Sequence, residues 1–390
     1  MTGSFEGLLT SREILVCCGS GGVGKTSVAA AAGIAAAGTF GGRVLVVTVD
    51  PARRLATALG LGELGNEVTR IPDSAFDTPP RGELYMAMLD TKKSWDDLVH
   101  RHAPDAETRD RILHNRLYEE LTTRFVQSHD YVAMERLYEL HRGGEYDLII
   151  IDTPPSRNAI DFLDAPERMA DFFGGRLLRV LTAPYRAGRG RAAKVLDVAS
   201  RPFLSLADRV LGAAFLSDIA EFFLNFQTMY NGFVERAKAV EALLHDPRCG
   251  FIVVTTLDPA PAREATRFIG ELKQRDFDLC AVVLNKVLPR RFSSREARAT
   301  AAEIRDRAAE IAEKLSGENR RGLGDLERST EVLVDVGTAF EQLHLAAVRE
   351  SERASATALG APVRVEVPLM SHDVRDVSTL SLIAAALLSG

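Results

Sequence analysis

The segment Gly19-Ser20-Gly21-Gly22-Val23-Gly24-Lys25-Thr26 fits the pattern G-x-x-x-x-G-K-[ST]. Glycines at these positions let the backbone curl so that successive N–H groups point inward at phosphate oxygens. The N-terminus of a following helix adds partial positive charge. In such a loop Lys25 reaches the β- and γ-phosphates and Thr26 offers its hydroxyl to Mg²⁺. The candidate nucleotide-binding set is therefore Gly19, Ser20, Gly21, Gly22, Val23, Gly24, Lys25, Thr26 and Ser27. Two acids have a matching chemistry. Asp50 ends the apolar run Arg43–Val49 and could hold a magnesium-bound water or orient an attacking one, which makes Asp50 and Lys25 the candidate catalytic pair. Asp152 ends Asp147–Ile151 and would support the magnesium shell through Thr26 or through water. Thr26, Asp50 and Asp152 are thus the candidate metal set. Thr153-Pro154-Pro155 follows as a segment suited to sensing a terminal phosphate.

The elements that must position these groups read as an α/β pattern. Ile14–Cys18 is a buried strand leading into the loop, and the alanine-rich Thr26–Ala37 is the helix leaving it. Further strands are expected at 43–49, 84–89, 147–151, 251–256, 281–286 and 363–367, with a closing helix at 377–389. Acids at the C-terminal ends of parallel strands lie where α/β sheets bind ligands. Between Thr91 and Arg142 the spacing is helical, with Ile112, Leu113, Leu117, Tyr118 and Leu121 on one face and Val132, Met134, Leu137 and Leu140 on another. Residues 294–315 read as one charged surface helix, and Glu318–Arg328 as a loop. The expected fold is an α/β P-loop NTPase with a mostly parallel, doubly wound sheet, formed by residues 1–165 and 246–390. Residues 166–245 form a helical insertion, rich in phenylalanine at Phe172, Phe173, Phe203, Phe215, Phe222, Phe223 and Phe226. Amphipathic helices usually bury such a face internally.

Composition narrows the class. The 390 residues carry a net charge of −6, so no global attraction to nucleic acid is implied. Apolar stretches such as Leu380–Leu388 fall well short of the roughly 20 residues needed to cross a bilayer. Met1–Arg12 has no basic region followed by an apolar core, so no signal peptide is expected. Cys17, Cys18, Cys249 and Cys280 include no C-x-x-C pair, which argues against structural zinc or a redox motif and suits core residues in a reducing cytoplasm. Basic residues cluster at 172–196 and 289–298, suiting either solvated loops or an anionic surface, so peripheral membrane association stays open.

The loop resembles the deviant form G-K-G-G-V-G-K-T, with Ser20 in place of the first lysine. Together with Asp50-Pro51-Ala52, Asp152-Thr153-Pro154-Pro155, Leu257-Asp258-Pro259-Ala260, Ala281–Lys286 and Val367-Pro368-Leu369, it resembles the arsenite-pump and tail-anchored-protein-targeting ATPase family, in order along nearly the whole chain. The resemblance implies hydrolysis of ATP with Mg²⁺ by a dimer holding nucleotide at its interface. It implies Asn285 on the adenine ring, Pro368 and Leu369 beside the base, and a helical subdomain that holds a hydrophobic protein client or meets a membrane protein. In that family the first lysine of the loop crosses to the partner's nucleotide. Ser20 cannot, and three arrangements follow. The favoured one pairs this chain with a related subunit that keeps the lysine. A homodimer could use Arg53, Arg54 or Arg157 instead, and a slow regulatory switch would need no replacement. The single phosphate loop excludes the fused tandem form. Scattered cysteines argue against metalloid activation, although the soluble motor of an anion efflux pump stays an alternative role.

Overall fold

The computed structural model describes residues 3–49, 67–124, 126–153, 164, 168, 213–318, 326–356, 360–374 and 376–389. Asp50, Arg53, Arg54, Pro154, Pro155 and Arg157 lie outside these residues, as does most of the expected insertion before Ala213.

Helix α1 (Phe5–Ser11) precedes strand β1 (Ile14–Cys18), the phosphate loop and helix α2 (Lys25–Thr39). Strand β2 (Arg43–Thr48), the short β3 (Thr69–Arg70) and β4 (Glu83–Met88) follow. Next come helices α3 (Thr91–His102), α4 (Ala106–Leu113), α5 (Arg116–Arg124) and α6 (Val126–Gly143), then β5 (Leu148–Asp152). Helix α7 (Ala213–Leu244) leads to β6 (Cys249–Thr255), α8 (Pro259–Gln274) and β7 (Leu279–Val287). Helices α9 (Arg295–Asp306), α10 (Ala308–Glu318) and α11 (Leu326–Ala356) precede β8 (Val363–Pro368) and α12 (Val377–Leu388).

The eight strands are ordered β3-β4-β2-β5-β1-β6-β7-β8. Every pairing is parallel except β3 with β4. Strand β1 lies where the chain switches from building one side of the sheet to building the other, so the loop after it opens into the crevice such a switch creates. Helices cover both faces. On one, the alanines of α2 and the closing α12 pack with Val46, Ile150, Val254, Val283 and Val365. On the other, Met134 and Leu137 of α6, Val240 and Leu244 of α7, and Phe268 and Leu272 of α8 pack with Val16, Ile151, Phe251 and Val282. The central strands are buried along their length, as a sheet covered on both sides requires. Helix α2 packs unusually close: a Cβ on Gly33 would lie 2.5 Å from Val46 Cγ2.

The structure sets the bounds within one helical stretch, divides one expected helix and adds elements. The stretch from Thr91 to Arg142 is four helices. Pro104 cannot continue α3, and Asp105 caps α4 by accepting from Thr108 N at 2.7 Å. Asn115 takes the next break, accepting from Leu117 N at 2.9 Å. The stretch 294–315 is α9 and α10, separated at Arg307. Helix α1, strand β3 and the 31-residue α11 were not expected. A third core joins Trp95, Leu98, Ile112, Tyr118 and Tyr131 of α3–α6 to Phe222, Phe223, Phe226 and Met229 of α7. These three phenylalanines pack inward. Helix α7 continues from that core into the sheet core at Val240 and Leu244.

Candidate nucleotide site

The phosphate loop depends on backbone conformations that side chains resist. Gly19 has φ +152°, and a Cβ there would lie 2.1 Å from the Val254 carbonyl oxygen. Gly24 caps α2 at φ +92°, and its Cβ would lie 2.3 Å from Asn285 Nδ2. Glycine is the residue that accepts both conditions. Gly22 is also left-handed, at φ +79°.

Lys25 opens α2 and is buried, with its ammonium donating to the Ser20 carbonyl at 3.0 Å. Thr26 Oγ1 donates to Asp152 Oδ2 at 2.6 Å, and Thr48 Oγ1 donates to the same oxygen at 2.9 Å. Sheet register makes this meeting possible: Asp152 stands opposite Cys17 of β1 on one side and Thr48 of β2 on the other. Thr153 closes the junction, its N and Oγ1 both donating to the Cys17 carbonyl, at 3.2 and 2.9 Å. Two threonine hydroxyls converging on one carboxylate at the head of a glycine-rich loop form an all-oxygen donor set, the chemistry that hard cations such as Mg²⁺ take. The loop and this triad fit a magnesium–nucleotide complex, with Thr26 and Asp152 as the residues that would hold the ion.

Asn285 comes from the other half of the chain and touches the loop directly. Its Nδ2 donates to the Val23 carbonyl at 2.7 Å, and its Oδ1 accepts from Lys286 N at 2.9 Å. An amide side chain has further donor and acceptor capacity beyond these two bonds. Pro368 is exposed at the end of β8, opposite Val287, and the exposed Leu369 donates its N to the Val287 carbonyl at 2.8 Å. Both therefore stand one strand beyond Asn285. Two side chains of α11 hold the adjoining loops: Glu350 accepts from Leu288 N at 2.7 Å, and Arg353 donates to the Leu257 carbonyl at 3.2 Å. A cavity of about 820 Å³ opens beside them, lined by Leu257, Val287, Leu288, Glu350 and Glu366 among others. Glu350 has its pKa raised, chiefly by burial.

Four groups escaped the sequence pattern: Thr48, Lys286, Glu350 and Arg353. Thr48 had a detectable signal, a hydroxyl at the end of a strand two residues before the candidate acid Asp50. Lys286 adjoined a predicted site residue. Glu350 and Arg353 act from a helix that the pattern did not suggest.

The cysteines are buried on β1, β6 and β7. Burial pushes the Cys18 and Cys280 thiols up to about 12, and raises Cys17 and Cys249 as well. Neutral, enclosed thiols are poor nucleophiles and poor metalloid ligands. Among the described residues no helix is long and apolar enough to cross a membrane.

A parallel sheet with a glycine loop at its switch point, a lysine and threonine opening the next helix, and an acid on a neighbouring strand defines the phosphate-loop nucleotide-binding class. Comparison with known proteins narrows this: the anion-transporting ATPase family matches residues 12–317, and the chain belongs to that family. It is 24% identical over 286 residues to a protein of Aquifex aeolicus (strain VF5) provisionally named arsenical pump-driving ATPase 1, covering 73% of this chain and 65% of that one. Over 169 residues it is 27% identical to a protein of Chlorobaculum tepidum and 28% identical to one of Prosthecochloris vibrioformis, both provisionally named arsenical pump-driving ATPase. Those two alignments cover 40% of this chain and 36% of each relative. The chain thus spans about two thirds of one relative's length and about a third of the others'.

Proposed function

We propose that this protein binds Mg-ATP in the loop at 19–27 and hydrolyses it. The observation that supports this most is the convergence of Thr26 and Thr48 on Asp152 at the mouth of the loop. Inward amides of the loop and the Lys25 ammonium would bind the phosphates and stabilise the charge that develops as the terminal one leaves. Bound Mg²⁺ would supply further neutralisation of that charge. Asp50 is the candidate to orient the water. The test is magnesium-dependent nucleotide binding and phosphate release by the purified chain, against Lys25→Ala and Asp152→Asn. Equal binding by all three would remove the reading.

The finer reading is a dimer that pairs this chain with a related subunit carrying the lysine absent at Ser20, its nucleotide state coupled to capture of an apolar client or membrane partner. Ser20 supports the pairing, because the trans cation of such a site is worth roughly 10³–10⁵ in rate. Single-turnover hydrolysis with and without a co-expressed paralogue tests it, and brisk turnover by the isolated chain would remove it. Slow turnover in both conditions would favour the regulatory switch. The relatives' names suggest a pump motor as a further role. Buried thiols with raised pKa argue against activation by a metalloid in that role.

A further inference from the structure

A peptide unit points its N–H and its C=O in opposite directions. A loop that turns amides inward to phosphate therefore turns carbonyls outward, where they need donors. Two consecutive ones are met from the end of β7. Lys286 Nζ donates to the Gly22 carbonyl at 2.9 Å, and Asn285 Nδ2 donates to the Val23 carbonyl at 2.7 Å. The Gly22 carbonyl shares its peptide unit with the Val23 N–H, and the Val23 carbonyl shares its unit with the Gly24 N–H. Both amides belong to the cradle. Lys286 reaches its target from a left-handed backbone, φ +59°, a conformation uncommon outside glycine. Its own N–H is tied to Asn285 Oδ1 at 2.9 Å, which fixes the turn. The residue is exposed, yet its ammonium lies on a main-chain oxygen of the loop.

We propose that Lys286 is a positioning residue for the diphosphate group of a bound nucleotide. Its ammonium orients and polarises the Gly22–Val23 peptide, making that amide a stronger donor to phosphate. It also brings a second cation to the loop in cis, on a chain that carries serine at position 20. Asn285 does the same for the next peptide without charge. This proposal rests on the nucleotide-binding reading and adds to it a residue that touches the loop and leaves the chemistry to others.

The test is titration of fluorescently labelled ADP and ATP, each with Mg²⁺, into the full chain and into Lys286→Met, Lys286→Arg and Lys286→Gly. Loss of a charge-assisted bond predicts a Kd about tenfold higher for Lys286→Met. The factor should be equal for ADP and ATP, because the peptide acts on the diphosphate, and it should shrink at high salt. Arginine should restore most of the affinity. Glycine relieves the left-handed backbone, so Lys286→Gly should melt no earlier than wild type and still lose affinity, which separates positioning from folding. Where turnover is measurable, KM should rise with kcat little changed. Binding by the Met and Gly variants at wild-type strength would overturn the proposal while leaving the nucleotide reading intact. A wild-type chain that takes up no Mg-nucleotide would overturn both.

Discussion

Two regions of this molecule withdraw charge from water, and they hold it differently. At the head of the sheet Lys25 and Asp152 are 6% and 1% exposed. The lysine donates to a carbonyl, and the aspartate accepts from two hydroxyls. In the helical layer Glu135 is 2% exposed, paired directly with Arg236 and bonded by Tyr131 Oη at 2.8 Å. Neutral partners can be exchanged for a phosphate or a cation at modest cost. A guanidinium seated on a buried carboxylate cannot, because its departure strands a charge. The bonds named for the first arrangement are to neutral groups, whereas in the second a cation faces an anion directly. The same contrast bears on His102, Glu135 and Glu139, whose ligand atoms lie within 4.8 Å of one another as a metal site's would. Arg236 holds Glu135, while Arg101 and Arg136 hold Glu139, so the cluster is an ion-pair knot that ties α3, α6 and α7 together.

The comparison can be broken most directly at the cradle. Lys25→Ala is expected to lower nucleotide turnover on the order of 10²–10³-fold, while the melting temperature without nucleotide stays near wild type. A collapse of the fold would make Lys25 structural, as Arg236 is. In the helical layer the signs reverse. Arg236→Met should destabilise the protein by about 3 kcal/mol in denaturant unfolding, since Glu135 is left buried and unpaired, and the double variant with Glu135→Gln should recover more than half of that. Nucleotide affinity should not move.

Gly33→Ala acts on the cradle by a smaller step. The new methyl meets Val46 Cγ2 at 2.5 Å and Leu84 Cδ1 at 3.1 Å, so these buried side chains must turn aside or α2 must move off the sheet. A loss of about 1–3 kcal/mol is expected, together with weaker nucleotide binding if the helix moves, because Lys25 and Thr26 travel with it. Unchanged binding would show that the side chains gave way, or that the helix start is fixed independently of its middle.

The smallest effect is in pH. Burial raises the Glu135 pKa above its ordinary 4.5, against the lowering influence of Arg236 and Tyr131. Between the unfolded and folded pKa the native protein keeps a proton that the unfolded chain has lost, so stability falls as pH rises through that window. His102 works the other way, its pKa lowered below 6.5 by burial and by Arg236. The difference between wild type and Glu135→Gln isolates the glutamate: the wild type should lose stability relative to the variant on raising pH from about 4.5.

Strands β1, β2, β4, β5, β6 and β7 were legible as short, mainly apolar runs, β8 as valines alternating with Arg364 and Glu366, and the phosphate loop because its spacing is a chemical requirement. The helical layer was less legible. Its spacing showed that the stretch from Thr91 to Arg142 is helical without fixing where each helix ends, and those ends are set by local groups, Pro104 with Asp105 and then Asn115. Helix α11 passed unread because the strongest feature near its start is charge. Three phenylalanines of α7 had two readings, groove or core. Rings of Trp95, Tyr118 and Tyr131 supplied by other helices decided for core.

By itself the sequence determined that a glycine-rich turn would precede Lys25 and Thr26 at a helix start, and that Asp152 would end a buried strand. Both follow from steric permission and hydrophobic period, which are local. Tertiary structure decided that Thr48 shares Asp152 with Thr26, and that Asn285 and Lys286 grip the loop from behind. Those contacts depend on strand order and register, which bring together residues more than a hundred positions apart.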